Sequence, residues 1–220
     1  MTQRKSAPSR ATPRRVRDAT RYIAEADPDF THIISISEPC TIGDRSRDDS
    51  TPYSALVTSV VSQQLSTSIA RLMIQRVREL TGGDITAESM AELSIDDLRS
   101  AGLSGAKART IMGLTHATID GSIDLDDLAA HADEDHITNS LTKLWGIGPW
   151  TTHMFLIFHL GRLDVWPAGD LGVRKGWQVI HGGEGDPGPE ALIDAAVHLQ
   201  PYRSVAAWYC WRAWESVSGR

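Results

Sequence analysis

Residues 144–176 read LWGIGPWTTHMFLIFHLGRLDVWPAGDLGVRKG, and this stretch decides the fold. Gly146-Ile147-Gly148 forms a short glycine hairpin, followed by Pro149 and an almost wholly apolar run that ends at Leu160, where Gly161 stops it. A loop rich in Trp and Pro comes next, and Gly169-Asp170 opens another helix-like segment. Upstream, the spacing predicts a helix from about Asp135 to Leu144, which gives helix, glycine hairpin, helix. Glycines in such a hairpin remove side chains where backbone N–H groups meet a phosphate. The following helix adds the partial positive charge of its N-terminus. Pro149 suits the first helical position, where a missing N–H costs nothing. The pattern points to a grip on a nucleic-acid backbone, with one carboxylate, Asp170, a helix and a loop away.

Working outward, 220 residues with 41% hydrophobic content leave room for one or two small domains. Two cysteines, Cys40 and Cys210, are too few for a disulfide framework or a four-thiolate cluster, so a reducing, intracellular setting is expected. No apolar stretch reaches membrane-spanning length, and the N-terminus lacks the apolar core of a signal peptide. The net charge of −6 argues against coating nucleic acid by bulk attraction. The charge is uneven, however. Residues 1–21 hold seven basic groups against Asp18, a balance of +6, which leaves −12 for the rest. That segment reads either as a solvated tail or as an auxiliary DNA-binding arm. Contact between nucleic acid and the body must then be local.

Residues 1–13 read as a disordered basic tail, 14–51 as an N-terminal helix and loop packing on the core, and 52–220 as the helical core itself. The helix-hairpin-helix falls at about 135–161. Ile33–Ile36, alternating with Ser, is the only strand-like piece. From Pro52 onward the pattern is helical throughout. Tyr53, Leu56, Val57, Val60 and Val61 share one face, and a second helix starts near Ser66. The join, Ser62-Gln63-Gln64-Leu65-Ser66, is polar where an apolar stripe should end; it is either an exposed corner or a projection toward a ligand. Gly102-Leu103-Ser104-Gly105 weakly echoes the Gly146 hairpin. The last helix, Pro201–Val217, is dense in aromatics. About ten short helices and no credible sheet make the class all-α.

Metal and nucleophile chemistry find no support in the spacing. The eight histidines are scattered without a His-x-x-x-His pair, and no Gly-x-Ser-x-Gly or phosphate-loop motif occurs. Asp170 reads first as a helix N-cap, following Pro-Ala-Gly. That role is compatible with another, because a helix N-terminus favours a negative charge, and a carboxylate there suits positive charge developing on a sugar. Trp150, Trp208, Trp211 and Trp214 read either as core or as flat faces for stacking an unpaired base.

Residues 139–176, with PYRSVAAWYCWRAW at 201–214 and VVSQQLS at 60–66, resemble the helix-hairpin-helix DNA glycosylase superfamily. The branch they resemble most is the bacterial 3-methyladenine DNA glycosylase II family. The resemblance runs from about Pro52 to Trp214. It implies two helical subdomains with the active-site cleft between them. Asp170 matches the catalytic aspartate, and Trp150, Met154, Trp208 and Trp211 fall in the base pocket. Gly146, Ile147, Gly148 and Thr151 would face the DNA backbone, with a possible monovalent cation on the carbonyls of Leu144, Gly146 and Ile147. Gln63, Gln64 and Leu65 match the segment that wedges into the duplex, with Gln64 chosen as the wedge.

The departures matter as much. Strand-cleaving members carry a lysine two residues after the last hairpin glycine, where this chain has Trp150. The four cysteines of the iron–sulfur branches are missing, and Met154 stands where the alkyl-base branch often has an aromatic. The resemblance therefore implies a monofunctional enzyme without a cofactor, a cytoplasmic monomer (nucleoid-associated if bacterial). It would release alkylated purines from damaged double-stranded DNA without involving a membrane. A non-catalytic DNA-binding protein of this fold, or a glycosylase for deaminated or oxidised bases, are the alternatives.

Overall fold

A computed structural model of the chain describes residues 10–44, 50–131, 133–183 and 185–218. Among these residues the architecture is helical and has no strand beyond one isolated bridge, Arg10 to Arg162. The helices in chain order are α1 (Pro13–Ala26), α2 (Phe30–Ile36), α3 (Pro52–Ser62), α4 (Thr67–Leu80), α5 (Ala87–Ala91), α6 (Ile95–Ser100) and α7 (Gly105–Ile119). They continue with α8 (Leu125–Ala130), α9 (Glu134–Leu141), α10 (Pro149–Met154), α11 (Leu171–His181), α12 (Gly188–Ala195) and α13 (Arg203–Ser218). None is long and apolar enough to cross a membrane. The chain divides into two compact units, Asp49–Phe155 and the pair Met1–Asp48 with Leu156–Arg220. The N-terminal helices thus belong to the same unit as the C-terminal ones.

In the central unit α3 is the buried axis, with Leu56, Val57, Val60 and Val61 withdrawn from solvent. Its apolar face meets α4, α7, α8 and α10. The Tyr53 hydroxyl finds Thr115 Oγ1 at 2.6 Å, so the buried polar tip is satisfied. In the other unit α11 and α13 form the main pair, and the backbone at Cys210 crosses Gly176 so closely that any Cβ there would overlap its carbonyl. α1 and α2 pack on α13. Arg203 grips Asp164 through Nε and Nη2 at 2.8 and 3.0 Å, and Ser204 exchanges hydrogen bonds with the Val165 backbone. These ties fix the loop that leads to Asp170.

Three expectations change. Ile33–Ile36 is part of helix α2 rather than a strand, because Phe30 and Ile33 share one buried face and Phe30 meets the rings of Trp177 and His181. Burial overrides β-branched preference here. Residues 10–13, expected at the end of a disordered tail, are ordered. Ala11 N–H donates to the Gly161 carbonyl at 2.7 Å, and Thr12 caps α1 through Arg15 N–H. The remainder of that expected tail, residues 1–9, lies outside the described residues. Finally, the apolar run after Pro149 is not one helix. It gives way at Phe155–His159 to a π-helical turn, closed by Arg162 N–H donating to the Leu156 carbonyl.

Candidate functional site

The hairpin is built within the central unit. α9 is capped by Asp133, whose Oδ1 accepts from Asp135 and His136 N–H, and the chain then turns through Gly146 at φ +81° into α10. That backbone conformation favours glycine. Space requires it too, since a Cβ at Gly146 would overlap the Thr110 hydroxyl on α7. Ile147 is buried and anchors the turn, while Gly148 is the extended N-cap of α10 with Pro149 in the first turn.

The Gln63-Gln64-Leu65 corner joins this hairpin directly. Gln63 Nε2 donates to the Gly146 carbonyl (3.1 Å) and to Thr151 Oγ1 (2.8 Å). Lys107 Nζ closes the other side of the corner, donating to the carbonyls of Val61 (2.8 Å) and Gln63 (2.7 Å) at the end of α3. Burial pushes the Lys107 ammonium down from its ordinary value. Gln64, held between these ties, is the one non-glycine residue at positive φ (+56°) among the described residues, and its side chain is exposed. Leu65 is half-buried. Thr151 is buried and its hydroxyl is turned to Gln63, so its contribution runs through the corner. The Gly146 carbonyl, expected to help hold a cation, receives the Gln63 amide, and the Leu144 carbonyl receives Ile147 N–H.

Asp170 lies in the other unit, at the N-cap of α11. Its Oδ1 accepts from Val173 N–H at 2.8 Å and from Trp211 Nε1–H at 2.8 Å. A cap alone needs only the first bond. The second comes from a side chain 41 residues later, on α13. Gly172 makes that approach possible, because a Cβ there would sit 2.8 Å from Trp211 Cδ1 and 3.1 Å from Asp170 Oδ1. The Trp211 ring lies 5.4 Å from that of Phe158, tilted by 32°. The π turn has rotated Phe158 out to 47% exposure while Leu156 and Ile157 stay buried.

Asp170 and Trp211 are therefore brought together, and Phe158 and Gly172 join them without having been singled out from sequence. Trp208 turns its ring to Tyr209 (5.0 Å, edge-on) and to the Arg212 guanidinium (5.0 Å), and is almost fully buried. Trp150 is half-buried and Met154 buried, both on α10 in the central unit. Cys210 is buried, which pushes its thiol far up and leaves it an inert packing group.

Comparison with known proteins adds four findings. A family model described as HhH-GPD superfamily base excision DNA repair protein matches residues 57–200. DNA-3-methyladenine glycosylase 1 of Schizosaccharomyces pombe is 32% identical over 170 residues, covering 76% of this chain and 75% of that protein. Among solved structures, the S. pombe 3-methyladenine DNA glycosylase in complex with abasic DNA superposes with a TM-score of 0.83 at 28% identity, over 92% of this chain and 98% of that one. A DNA-3-methyladenine glycosidase from Bacillus halodurans gives 0.72 at 33% identity, over 92% and 91%.

Proposed function

Because the chain belongs to the HhH-GPD superfamily of base excision DNA repair proteins, we propose that it is a monofunctional DNA glycosylase that hydrolyses the glycosidic bond of alkylated purines in duplex DNA. The observation that carries this reading is the double hold on Asp170 Oδ1. A carboxylate fixed by a helix-terminal amide and an indole N–H is pre-oriented, and such groups stabilise charge without reorganising during the reaction. The names of the relatives supply the lesion class, 3-methyladenine type.

In this reading the hairpin amides take a phosphate and the Gln64 corner fills the stack that the extruded nucleotide leaves, for a few kcal/mol of unstacking. Alkylation at N3 or N7 already places positive charge on the base, so departure needs little acid assistance. Phe158 and Trp211 offer aromatic faces beside Asp170, and such faces attract a cationic ring more than a neutral one. Asp170 stabilises the oxocarbenium-like sugar and orients the attacking water. The base to C1′ bond breaks with its electron pair leaving on the now neutral base. Water oxygen bonds to C1′ as Asp170 takes the water's proton and returns it to solvent, and an abasic site remains. With Trp150 two residues after Gly148, no amine stands at the position that would form a Schiff base. The chain acts as a monomer in the cytoplasm.

The test is Asp170→Asn assayed for release of 7-methylguanine and 3-methyladenine from methylated duplex. Asparagine keeps the cap, so stability should change by less than about 1 kcal/mol. Base release should fall about a thousandfold while affinity for an abasic-site duplex holds. Equal losses of binding and release would leave Asp170 as only a cap, and no release by the wild type would make the chain a non-catalytic DNA-binding protein. Borohydride should trap no covalent adduct with the wild-type chain.

A further inference from the structure

One part of the hairpin is unexplained by the phosphate grip. Trp145, immediately before the φ-positive Gly146, is 62% exposed, the largest side chain type placed in solvent on the tightest turn of the motif. Single exposed apolar residues are ordinary, but this one is covered in a specific way. The Arg109 guanidinium lies over the indole, 5.3 Å from the ring centroid. Arg109 is itself exposed and stands on α7 next to Thr110, the residue against which Gly146 is pressed. The turn and the arginine are thus registered by the same helix. Exposed Lys143 adds a second positive charge two residues before Trp145.

We propose that Arg109 and Trp145 form a second contact for the backbone of duplex DNA, beside the hairpin amides. The guanidinium pairs with a phosphate and the indole packs on the adjoining deoxyribose. The cation–π contact with the ring restricts the positions the guanidinium samples, so less rotamer freedom is lost when it meets a phosphate. The place of Arg109, next to Thr110 on the helix that presses on the hairpin, assigns the partner as DNA rather than an acidic protein surface. Outside residues 1–21 the balance is −12, so attraction to a polyanion must come from a few placed cations beside the grip. This inference rests on the DNA-binding reading of the hairpin.

The experiment measures binding of the full chain to a fluorescent duplex bearing a tetrahydrofuran abasic analogue, from about 50 to about 200 mM KCl. Arg109→Ala should weaken binding about tenfold at the low-salt end and make the slope of log K against log salt shallower by about 0.9, one phosphate contact. Trp145→Ala should weaken binding about threefold with the slope unchanged, because the indole releases no counterion. Arg109→Lys should keep the slope and lose part of the affinity. If wild type binds and both alanine variants match it, the pair is only a surface contact and the proposal falls alone. If wild type binds no duplex at all, the DNA reading of the hairpin falls and takes this proposal with it.

Discussion

The hairpin and the Asp170 corner solve the same problem, holding a polar group in a fixed direction, by opposite means. At the hairpin the group proposed to act is the backbone itself, and glycine, proline and a buried isoleucine shape it locally. Around Asp170 the group proposed to act is a side chain, and its partner arrives from a helix 41 residues later. The first arrangement tolerates little change in conformation. The second tolerates little change in what surrounds it.

The largest effect that would break this contrast is at Gly146. Gly146→Ala adds left-handed strain to an overlap with Thr110, for a loss of about 3 kcal/mol, read as a fall in Tm of roughly 6–12 °C. Thr110→Ala in the same chain should restore only part of it, because strain at φ +81° persists. Full restoration would mean that space alone, and no backbone requirement, selects the glycine.

Gly172→Ala is the counterpart at the other site. Its Cβ pushes the Trp211 indole off Asp170. The prediction is about a hundredfold slower base release, the scale expected for a 1 Å misplacement, with the melting temperature nearly unchanged. A wild-type rate would show that the indole hydrogen bond is dispensable for orienting the carboxylate.

The smallest effect sharpens the comparison through pH. Asp27, in the same unit as Asp170, has Oδ2 facing His181 Nε2 at 2.9 Å and His198 Nε2 at 3.0 Å. Burial pushes its carboxyl up, but the bonds from His181 and His198 outweigh burial and hold it below the ordinary value of 3.8. A depressed carboxyl contributes stability that is complete above the unfolded-state value and is lost as pH falls through the lower folded one. Acid should therefore loosen the Asp170 unit through this group. Hydrogen exchange at acid pH should show amides of α1 and α11 opening more readily than at neutral pH. Asp27→Asn should cost about 1–2 kcal/mol at neutral pH and flatten this acid limb. An unchanged acid limb would remove Asp27 from the account.

The contrast also explains what could be read in advance. The Gly146–Gly148 spacing and Pro149 encode backbone geometry locally, so the motif was legible from residues alone. Asp170 was legible as a cap for the same reason. Its tie to Trp211 was not, because nothing in local spacing says which of several tryptophans on one helix faces which loop; the resemblance put Trp211 in the base pocket and gave it no bond to Asp170. Phe158 was missed because counting at 3.6 residues per turn fails once a π turn shifts the phase. Ile33–Ile36 was misread because alternating isoleucines look like a strand until Trp177 and His181 cover Phe30 on the same helix. Thr12-Pro13 carries a local cap signal that the basic composition of the tail obscures, while Ala11 gave no sign that Gly161 would engage it.

The Gln63 amide, shared by the Gly146 carbonyl and the Thr151 hydroxyl, has a thermodynamic consequence. The two loops proposed to grip DNA, from separate parts of the chain, would arrive already assembled. Association then loses little extra motional freedom when they engage, and more of the interaction energy is left to distort the polymer. The calorimetric signature is a small heat-capacity change on capture, without the larger decrement that accompanies folding of a loop around its target.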